Sequence, residues 1–300
     1  MGAYSSSDAA ILRQHAVWLR DAGVDFVLMD WSNDAAYEPD NNEGLDRRDL
    51  KAIEDNTRTL FEVWSTIPKA PRVAFLSGSS TLADYFPENN RTNTTRLQHK
   101  ADQIHRWFVA NKTAAIRDLN FLLDGKPLLV DYSGTPTLFP RSVSPWRDSR
   151  FTMKHLTGFV SEQPQLWEMD AKGRRISKFG YWSWEDRCNS TFPVVGGHPE
   201  FMVVSTAVRG DPCGWKCASK REGRANGTTF AKKWKYAMEI GPRVALVPSW
   251  GQWVGCQAKP GENWNEEFST DLEPMEGGHG DLYLRLLKNY SLAFRHRDLT

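Results

Sequence analysis

Stretches with the apolar spacing of a helix alternate along the chain with short, continuously apolar runs. Residues 5–23 have helical spacing, with Ser7 or Asp8 as the N-cap and Gly23 as the C-cap. The same spacing predicts helices over residues 49–67, 97–116 and 280–296. Seven apolar runs predict strands, at residues 24–30, 72–77, 127–132, 151–160, 178–184, 201–207 and 243–249.

Continuous apolar strands between helices are typical of a parallel sheet covered on both faces. The sequence therefore predicts an α/β fold, a (β/α)8 barrel of the TIM type, as a single domain over residues 1–300. Such a barrel has eight strands, so we expect its first strand to lie before Met1. A doubly wound open sheet is the alternative, but no Gly-rich phosphate loop follows any strand. A long inserted loop is predicted around residues 209–229, which are rich in Gly and Lys.

Charge and composition exclude several classes of partner. The chain has 38 basic and 37 acidic residues, well mixed, and a formal net charge of +1. Nothing resembles the basic stripe of a nucleic-acid-binding surface, and no apolar run approaches the length of a membrane span. We expect neither partner, and we expect a monomer.

Cysteines and glycosylation sequons indicate an extracellular protein. Among the four cysteines only Cys213 and Cys217 are closely spaced, which favours disulfides over a zinc site. Six matches to the N-glycosylation pattern indicate a secreted glycoprotein, although no signal peptide is recognisable at Met1. The six asparagines are Asn90, Asn93, Asn111, Asn189, Asn226 and Asn289.

The predicted strand ends carry the side chains that glycosidic cleavage uses. In barrel enzymes the active site lies at the carboxyl ends of the strands, and one carboxyl group protonates the leaving oxygen while another acts as nucleophile or base. We predict Glu185 as the acid or base, and Asp30 and Asp131 as groups that bind sugar hydroxyls or position water. Five tryptophans are predicted to stack on sugar rings and two amides to donate hydrogen bonds: Trp31, Trp182, Trp184, Trp250, Trp253, Asn33 and Gln252.

The loop after the last strand is acidic. Its charge run is typical of a solvated face, but its place beside the last strand makes Glu267 a candidate partner for Glu185. The run consists of Glu266, Glu267, Asp271 and Glu273. No cofactor fingerprint, serine elbow or His-x-x-x-His pair is present, so we expect no cofactor and no metal.

Two segments resemble the barrel enzymes of glycoside hydrolase families 71 and 99. Residues 4–33, "YSSSDAAILRQHAVWLRDAGVDFVLMDWSN", are similar to that group's first helix and second strand. The second segment, "WGQWVG" followed by "EEFSTDLEPMEGGHGDLYLRLLKNY", is similar to its final-strand motif of Trp-Asn-Glu-Trp, Glu-Gly and an acidic-Glu-Pro element. The resemblance implies a (β/α)8 fold and hydrolysis of α-linked glycans, typically α-mannosides or α-glucans.

The resemblance breaks at the two glutamates that carry catalysis in those enzymes. They fall here on Gln252, which cannot act as an acid or base, and on Gly255, which has no side chain. Three explanations stay open: relocated carboxylates, a carbohydrate-binding barrel without catalysis, or an insertion that brings Glu266 or Glu267 back to the site. We expect a glycoside hydrolase; a non-catalytic binder is the alternative, and a polysaccharide lyase with Tyr132 or Tyr181 as base is a third possibility.

Overall fold

The computed structural model describes eight segments of the chain, at residues 4–32, 47–78, 94–132, 146–158, 160–186, 190–208, 222–251 and 266–297. The chain divides into two compact units. The N-terminal unit comprises residues 3–139 and 143–156, and the C-terminal unit comprises residues 1–2, 140–142 and 157–300. Within the described segments, no helix combines the length and the apolar character that crossing a bilayer requires.

The N-terminal unit alternates helices and strands, as the apolar pattern predicts. Its elements are α1 Ala9–Asp21, β1 Phe26–Asp30, α2 Arg47–Trp64, β2 Arg72–Gly78, α3 Thr94–Ile104, a π-helix at His105–Val109, α4 Ala114–Arg117, β3 Leu122–Leu123, β4 Lys126–Tyr132 and β5 Thr152–Thr157. Helix α1 begins where the sequence predicts, because the Asp8 side chain accepts a hydrogen bond from the Ala10 N–H at 2.8 Å. Gly23, with φ of 75°, follows its last turn.

The sheet of this unit is parallel, in the order β1-β2-β4-β5, with the short strand β3 antiparallel to β4. Asp30 pairs with Leu76, and Gly78 pairs with Tyr132. Because parallel strands in register end together, the carboxyl ends of these strands form one edge of the sheet.

An aromatic cluster forms the core between this sheet and its helices. Phe108 lies 4.2 Å from Phe61 and 5.1 Å from Phe75, measured between ring centroids. Trp31 packs edge-on against Phe75 at 5.2 Å. Edge-to-face and offset aromatic pairs of this kind add to the stabilisation that burial of their area provides.

Ion pairs between two aspartates and an arginine join α3 to the segment before β5. The guanidinium of Arg150 donates to both carboxylate oxygens of Asp148 and to Asp102, and Gln98 donates to Asp148 at 3.0 Å. Burial opposes ionisation of Asp148, but the hydrogen bonds from Arg150 and Gln98 outweigh it and lower its pKa to about 2. The carboxylate is therefore more stable ionised in the folded chain than in the unfolded chain.

Acidification is expected to weaken the fold through Asp148. Its folded pKa lies below the ordinary value of 3.8, so its stabilisation is complete above that value and is lost as the pH falls toward about 2. The expected loss is about 1–2 kcal/mol of unfolding free energy, allowing for partial solvent screening. Urea unfolding of wild type and of Asp148→Asn at about pH 5 and about pH 2.5 measures it. The difference between the two proteins should shrink at the lower pH, and a constant difference would contradict the assignment.

The C-terminal unit contains short strands and two long helices. Its elements are β6 Trp167–Met169, β7 Arg175–Ser177, β8 Trp182–Ser183, β9 Val194–Val195, β10 His198–Pro199, β11 Phe201–Val203, α5 Thr228–Ile240, β12 Val244–Leu246 and α6 Leu282–His296. Strands β11 and β12 are parallel, whereas β6 with β7 and β9 with β10 form antiparallel pairs. On α5, Trp234 stacks on Tyr290 of α6 at 5.9 Å and contacts Phe230 at 6.0 Å.

All seven predicted strands are present, with shorter bounds in several cases. Helix α5 was not predicted, because its first residues adjoin the stretch interpreted as an inserted loop. Of that stretch, residues 209–221 lie outside the described segments, and a helical turn at Ala225–Gly227 leads directly into α5. The four cysteines also lie outside the described segments, so the predicted disulfides stay predictions.

Candidate functional site

A buried aspartate–histidine pair lies at the carboxyl edge of the N-terminal unit's sheet. Asp131 of β4 pairs in register with His155 of β5. The Oδ2 atom of Asp131 lies 3.2 Å from Nδ1 of His155, and both side chains are buried. A carboxylate at one ring nitrogen orients the imidazole and sets which nitrogen carries its proton. Asp131 has no exposed surface, so it can act on a ligand only through groups such as His155.

Tyr132, the next residue of β4, is held in its neutral form. Burial raises the pKa of its hydroxyl far above the ordinary value, and the negative charge of Asp30 raises it further. A neutral phenol can both donate and accept a hydrogen bond. The backbone around it leaves no space, since a Cβ on Gly78 would lie 2.1 Å from the Tyr132 carbonyl oxygen. Glycine at the end of β2 therefore allows the two strands to meet there.

Asp30 is the exposed carboxylate of this edge. Its Oδ1 atom accepts hydrogen bonds from the backbone N–H and the hydroxyl of Ser32, at 2.9 and 2.6 Å. These two bonds fix its orientation at the end of β1. Its carboxylate is therefore both exposed and oriented.

In the C-terminal unit, an acidic pair follows β8. Asp186 accepts hydrogen bonds from the Ser161 N–H at 2.9 Å, the Ser183 hydroxyl at 2.7 Å, and the N–H and hydroxyl of Thr191, both at 2.9 Å. These four donors occupy its two oxygens, which makes Asp186 a structural residue. Glu185 beside it is also buried, with 2% of its surface exposed.

Glu267 lies in a short helical turn, Glu266–Phe268, and its carboxylate rests on the backbone of residues 223–225. Its Oε1 atom accepts a hydrogen bond from the Ala225 N–H at 2.9 Å. Its carbonyl accepts one from the Arg224 N–H at 2.7 Å. A Cβ on Gly223 would lie 2.1 Å from the same Oε1 atom. The carboxylate is exposed yet held in one place, as a positioned acid or base must be.

Glu266 contacts a histidine that is itself fixed on both sides. His279 Nδ1 lies 3.0 Å from Nη1 of Arg224 and 3.3 Å from Oε1 of Glu266, while Nε2 lies 3.0 Å from the Glu273 carbonyl oxygen. Desolvation lowers the pKa of His279, and the charge of Arg224 lowers it further. The neutral tautomer that donates from Nε2 to Glu273 and accepts at Nδ1 from Arg224 satisfies both contacts.

Arg224 is the buried cation of this region. Its guanidinium donates to the carbonyl oxygens of Ser269 at 2.7 Å and Asp271 at 2.5 Å, and it lies 4.3 Å from the ring centroid of Tyr283. Because it bonds to backbone on one side and to His279 on the other, it fixes the segment that follows Glu266 and Glu267. Desolvation lowers its pKa, and the guanidinium stays charged near neutral pH.

The predicted solvated acidic face is wrong for two of its four residues. Asp271 and Glu273 are 1% and 0% exposed. The carboxylate of Asp271 accepts hydrogen bonds from the hydroxyls of Ser249 at 2.9 Å and Ser269 at 2.7 Å. The chain of this run therefore turns into the protein after Glu267 and contacts the end of the last strand.

Two of the predicted sugar-stacking tryptophans are core residues instead. Trp31 is fully buried, and its indole N–H donates to the Thr57 hydroxyl at 3.0 Å. Trp182 stacks on Phe201 at 4.2 Å and donates to Glu200 Oε2 at 3.0 Å. Neither ring presents a face to solvent, so the structure assigns them a packing role and corrects the prediction.

Of the other three predicted stacking tryptophans, two lie in described segments and one does not. Trp184 and Trp250 are half-buried. The backbone N–H of Trp184 donates to the Thr157 carbonyl oxygen at 2.8 Å. The backbone carbonyl of Trp250 accepts from the Glu273 backbone N–H at 2.9 Å. Because both residues are partly exposed, they remain candidates for stacking on sugar rings. Asn33, Gln252, Trp253 and Gly255 lie outside the described segments.

Sequence reasoning missed three residues of these clusters. His155 lies inside a predicted strand, and neither its neighbours nor its spacing distinguishes it from a core histidine. Arg224 lies in the stretch interpreted as a loop. His279 lies within the quoted segment "EEFSTDLEPMEGGHGDLYLRLLKNY", so its position could have indicated it, unlike the positions of the other two. In the described part of the chain, no group of three His, Cys, Asp or Glu side chains is placed to hold a metal ion.

The chain has the fold of barrel glycosidases. It superposes on an endo-α-mannosidase of glycoside hydrolase family 99 from Bacteroides thetaiotaomicron, in complex with bis-tris propane, with a TM-score of 0.58 and 16% identity over 99% of this chain and 88% of that one. A second structure of the enzyme gives 0.52 and 16% over 99% and 82%. A "glycoside hydrolase-like protein" gives 0.54 and 12% over 96% and 87%. No protein-family model and no curated protein matches the sequence.

These superpositions confirm the predicted (β/α)8 barrel class, and the fold is the one that family 99-type barrels have. The parallel strands of the N-terminal unit and their common carboxyl edge fit that class. At this level of identity the likeness concerns the fold, and the chemistry depends on the side chains described above.

Proposed function

We propose that the protein is a glycoside hydrolase that cleaves a glycan or polysaccharide. The observation that carries the proposal is the superposition of nearly the whole chain on a barrel endo-α-mannosidase. In barrels of this kind the chemistry lies at the carboxyl ends of the strands. In this chain those ends hold Asp30, Glu185 and, after the last strand, Glu267.

Glu185 and Glu267 are the proposed catalytic pair, and both belong to the C-terminal unit. Hydrolysis needs one carboxyl group that protonates the leaving oxygen, and a second that attacks the sugar carbon or activates water. Glu267 is exposed and anchored by the Ala225 N–H, which suits a group that meets substrate from solvent. Glu185 is buried beside the structural carboxylate of Asp186, where low local polarity strengthens its interactions with developing charge.

The carboxyl edge of the N-terminal unit's sheet is proposed to bind sugar hydroxyls by itself. Asp30 is exposed at the end of β1 and is proposed to accept hydrogen bonds from them. The neutral hydroxyl of Tyr132 would donate and accept there. Asp131 is proposed as a positioning residue, since its buried carboxylate contacts His155. Trp184 and Trp250 remain the proposed stacking residues. Trp253 keeps its predicted stacking role, and Asn33 and Gln252 keep their predicted hydrogen bonds to substrate.

A carbohydrate-binding protein without catalysis is the second candidate. The specific observation in its favour is the pair Gln252 and Gly255, which stand where the resemblance places two catalytic glutamates. Such a protein would keep the aromatic and amide groups but make no productive use of Glu185 or Glu267. The predicted secretion and glycosylation are common to both candidates and stay predictions.

A glycan panel separates the two candidates. Purified protein is incubated with α- and β-linked oligosaccharides and polysaccharides, α-mannans and α-glucans included, and new reducing ends are measured by mass spectrometry. The proposal predicts release from at least one α-linked member, and loss of that release in Glu185→Gln. Binding of a member without release by wild type would instead identify the non-catalytic binder. Equal release by wild type and Glu185→Gln would remove Glu185 from the mechanism.

A further inference from the structure

A polar groove lies on the helical side of the N-terminal unit. It encloses about 170 Å³ between the second half of α2, the π-helix and the start of α4. Its lining comprises Arg58, Phe61, Glu62, Arg106, Trp107, Phe108, Asn111 and Ile116. At about 30 Å³ per water molecule, this volume corresponds to roughly five or six waters. The groove can therefore hold a small polar group.

The π-helix that forms one wall is capped by two asparagine side chains. The Asn111 side-chain amide donates to the Trp107 carbonyl oxygen at 2.6 Å, and that of Asn120 donates to the Phe108 carbonyl at 3.0 Å. These bonds satisfy carbonyl groups that a wider helical turn leaves without backbone partners. Arg117 fixes the Asn111 carbonyl from the other side at 2.6 Å. The wall is thus rigid before any ligand binds.

One of the groove's arginines is pre-oriented by an aromatic ring. The guanidinium carbon of Arg58 lies 5.2 Å from the Trp107 ring centroid. Trp107 is itself held edge-on by Trp31 at 6.5 Å and by Phe108 at 6.2 Å. Stacking on an aromatic ring uses the flat face of a guanidinium and leaves its N–H edge directed at other groups. Arg58 therefore offers its donors at a defined position.

The lining of the groove contains more basic than acidic side chains. The nearest carboxylate oxygen to Arg58 is that of Asp55 at 3.9 Å, a long contact between exposed side chains. Arg106 is exposed and makes no ion pair among the residues that the structure describes. Glu62 is the one acid of the lining. The lining therefore carries two guanidinium groups and one carboxylate, and Asp55 contacts Arg58 from outside the lining.

We propose that this groove binds a tetrahedral oxyanion, a sulfate or phosphate group, including one carried on a sugar. Guanidinium groups match such oxygens with paired N–H donors. The residues of the groove belong to the N-terminal unit, whereas the proposed catalytic pair belongs to the C-terminal unit. If the chain also hydrolyses glycans, the groove would give it a second binding site for a glycan that carries a sulfate or phosphate group.

Calorimetric titration of the full chain at low ionic strength tests the site, because salt screens exposed charges. The probes are inorganic sulfate, inorganic phosphate, mannose phosphate and mannose. The two inorganic ions and the phosphate ester should bind, and mannose should not. Tighter binding of mannose phosphate than of inorganic phosphate would assign the groove to a sugar ester, and equal binding would assign it to the free ion.

Two variants, one that removes a positive charge from the groove and one that removes a negative charge, make the binding test specific. Arg106→Gln should weaken phosphate binding about tenfold, as loss of a charged hydrogen bond implies, whereas Glu62→Gln should tighten it a few-fold by removing a repulsive charge. Arg285→Gln is the matched control, an exposed arginine on α6 paired with Asp281. Binding unchanged in Arg106→Gln, or lost equally in Arg285→Gln, would overturn the proposal. Because the readout is binding of small ions, it is independent of whether the chain hydrolyses glycans.

Discussion

Glu267→Gln is expected to lower kcat/KM on a hydrolysed glycan by about a thousandfold or more. The substitution keeps the size of the side chain but removes the carboxyl group that is proposed to exchange a proton or attack the sugar. Since Glu267 is exposed and its Oε1 atom accepts from the Ala225 N–H, its loss should leave the unfolding free energy within about 1 kcal/mol of wild type. Steady-state kinetics beside urea unfolding measure both quantities.

Two further variants decide whether the effect belongs to this carboxylate. Glu276→Gln changes an exposed glutamate of the same loop and should leave kcat/KM within about twofold of wild type. Gly223→Ala keeps Glu267 but introduces a Cβ 2.1 Å from its Oε1 atom. The carboxylate must then shift, so kcat should fall by more than KM changes. Wild-type activity in Glu267→Gln would exclude the proposed role.

Asp186→Ala is expected to destabilise the C-terminal unit by about 3–5 kcal/mol. The carboxylate is fully buried and accepts four hydrogen bonds, two of them from the backbone N–H groups of Ser161 and Thr191. Without it, these donors remain buried with no acceptor. Asp186→Asn should also destabilise, because its amide places a donor where one of the oxygens accepts two hydrogen bonds.

The matched control for this prediction is Asp281→Ala. Its side chain is 60% exposed and contacts Arg285 at 3.2 Å. A surface pair of this kind contributes little, so the expected change is below about 0.5 kcal/mol. Unfolding in urea, followed by circular dichroism, compares the variants. A loss below about 1 kcal/mol in Asp186→Ala would show that its hydrogen bonds are replaced by others or by water.

The strand pattern was readable from sequence because parallel strands buried on both faces are continuous apolar runs. The run "VDFVLMD" became β1 and "KPLLVDY" became β4, each ending at or next to an aspartate. Helix α5 has apolar residues at helical spacing as well, with Phe230, Trp234 and Ala237 buried. It was missed because the Gly- and Lys-rich stretch before it favoured a loop up to residue 229.

The site was less predictable, because a linear pattern does not show which way a strand-end side chain points. Trp31 follows the predicted strand 24–30 and Trp184 ends the predicted strand 178–184, yet Trp31 is a core residue and Trp184 is half-buried. The acidic run after the last strand has no apolar period that could reveal that Asp271 and Glu273 are buried. Asp271 is held by hydrogen bonds from Arg224 and Ser249, which are distant in sequence, so only the fold brings these groups together.

The central claim is that this barrel hydrolyses a glycosidic bond, and hydrolysis has a direct isotopic signature. The glycan that is cleaved in the panel is incubated with wild type in water enriched in heavy oxygen, and the products are examined by mass spectrometry. Hydrolysis transfers one oxygen from water to the anomeric carbon of the product, so we expect the label in the new reducing end, and no labelled product with Glu267→Gln. An unsaturated product without the label, as a lyase forms, or binding with no product at all would contradict the claim.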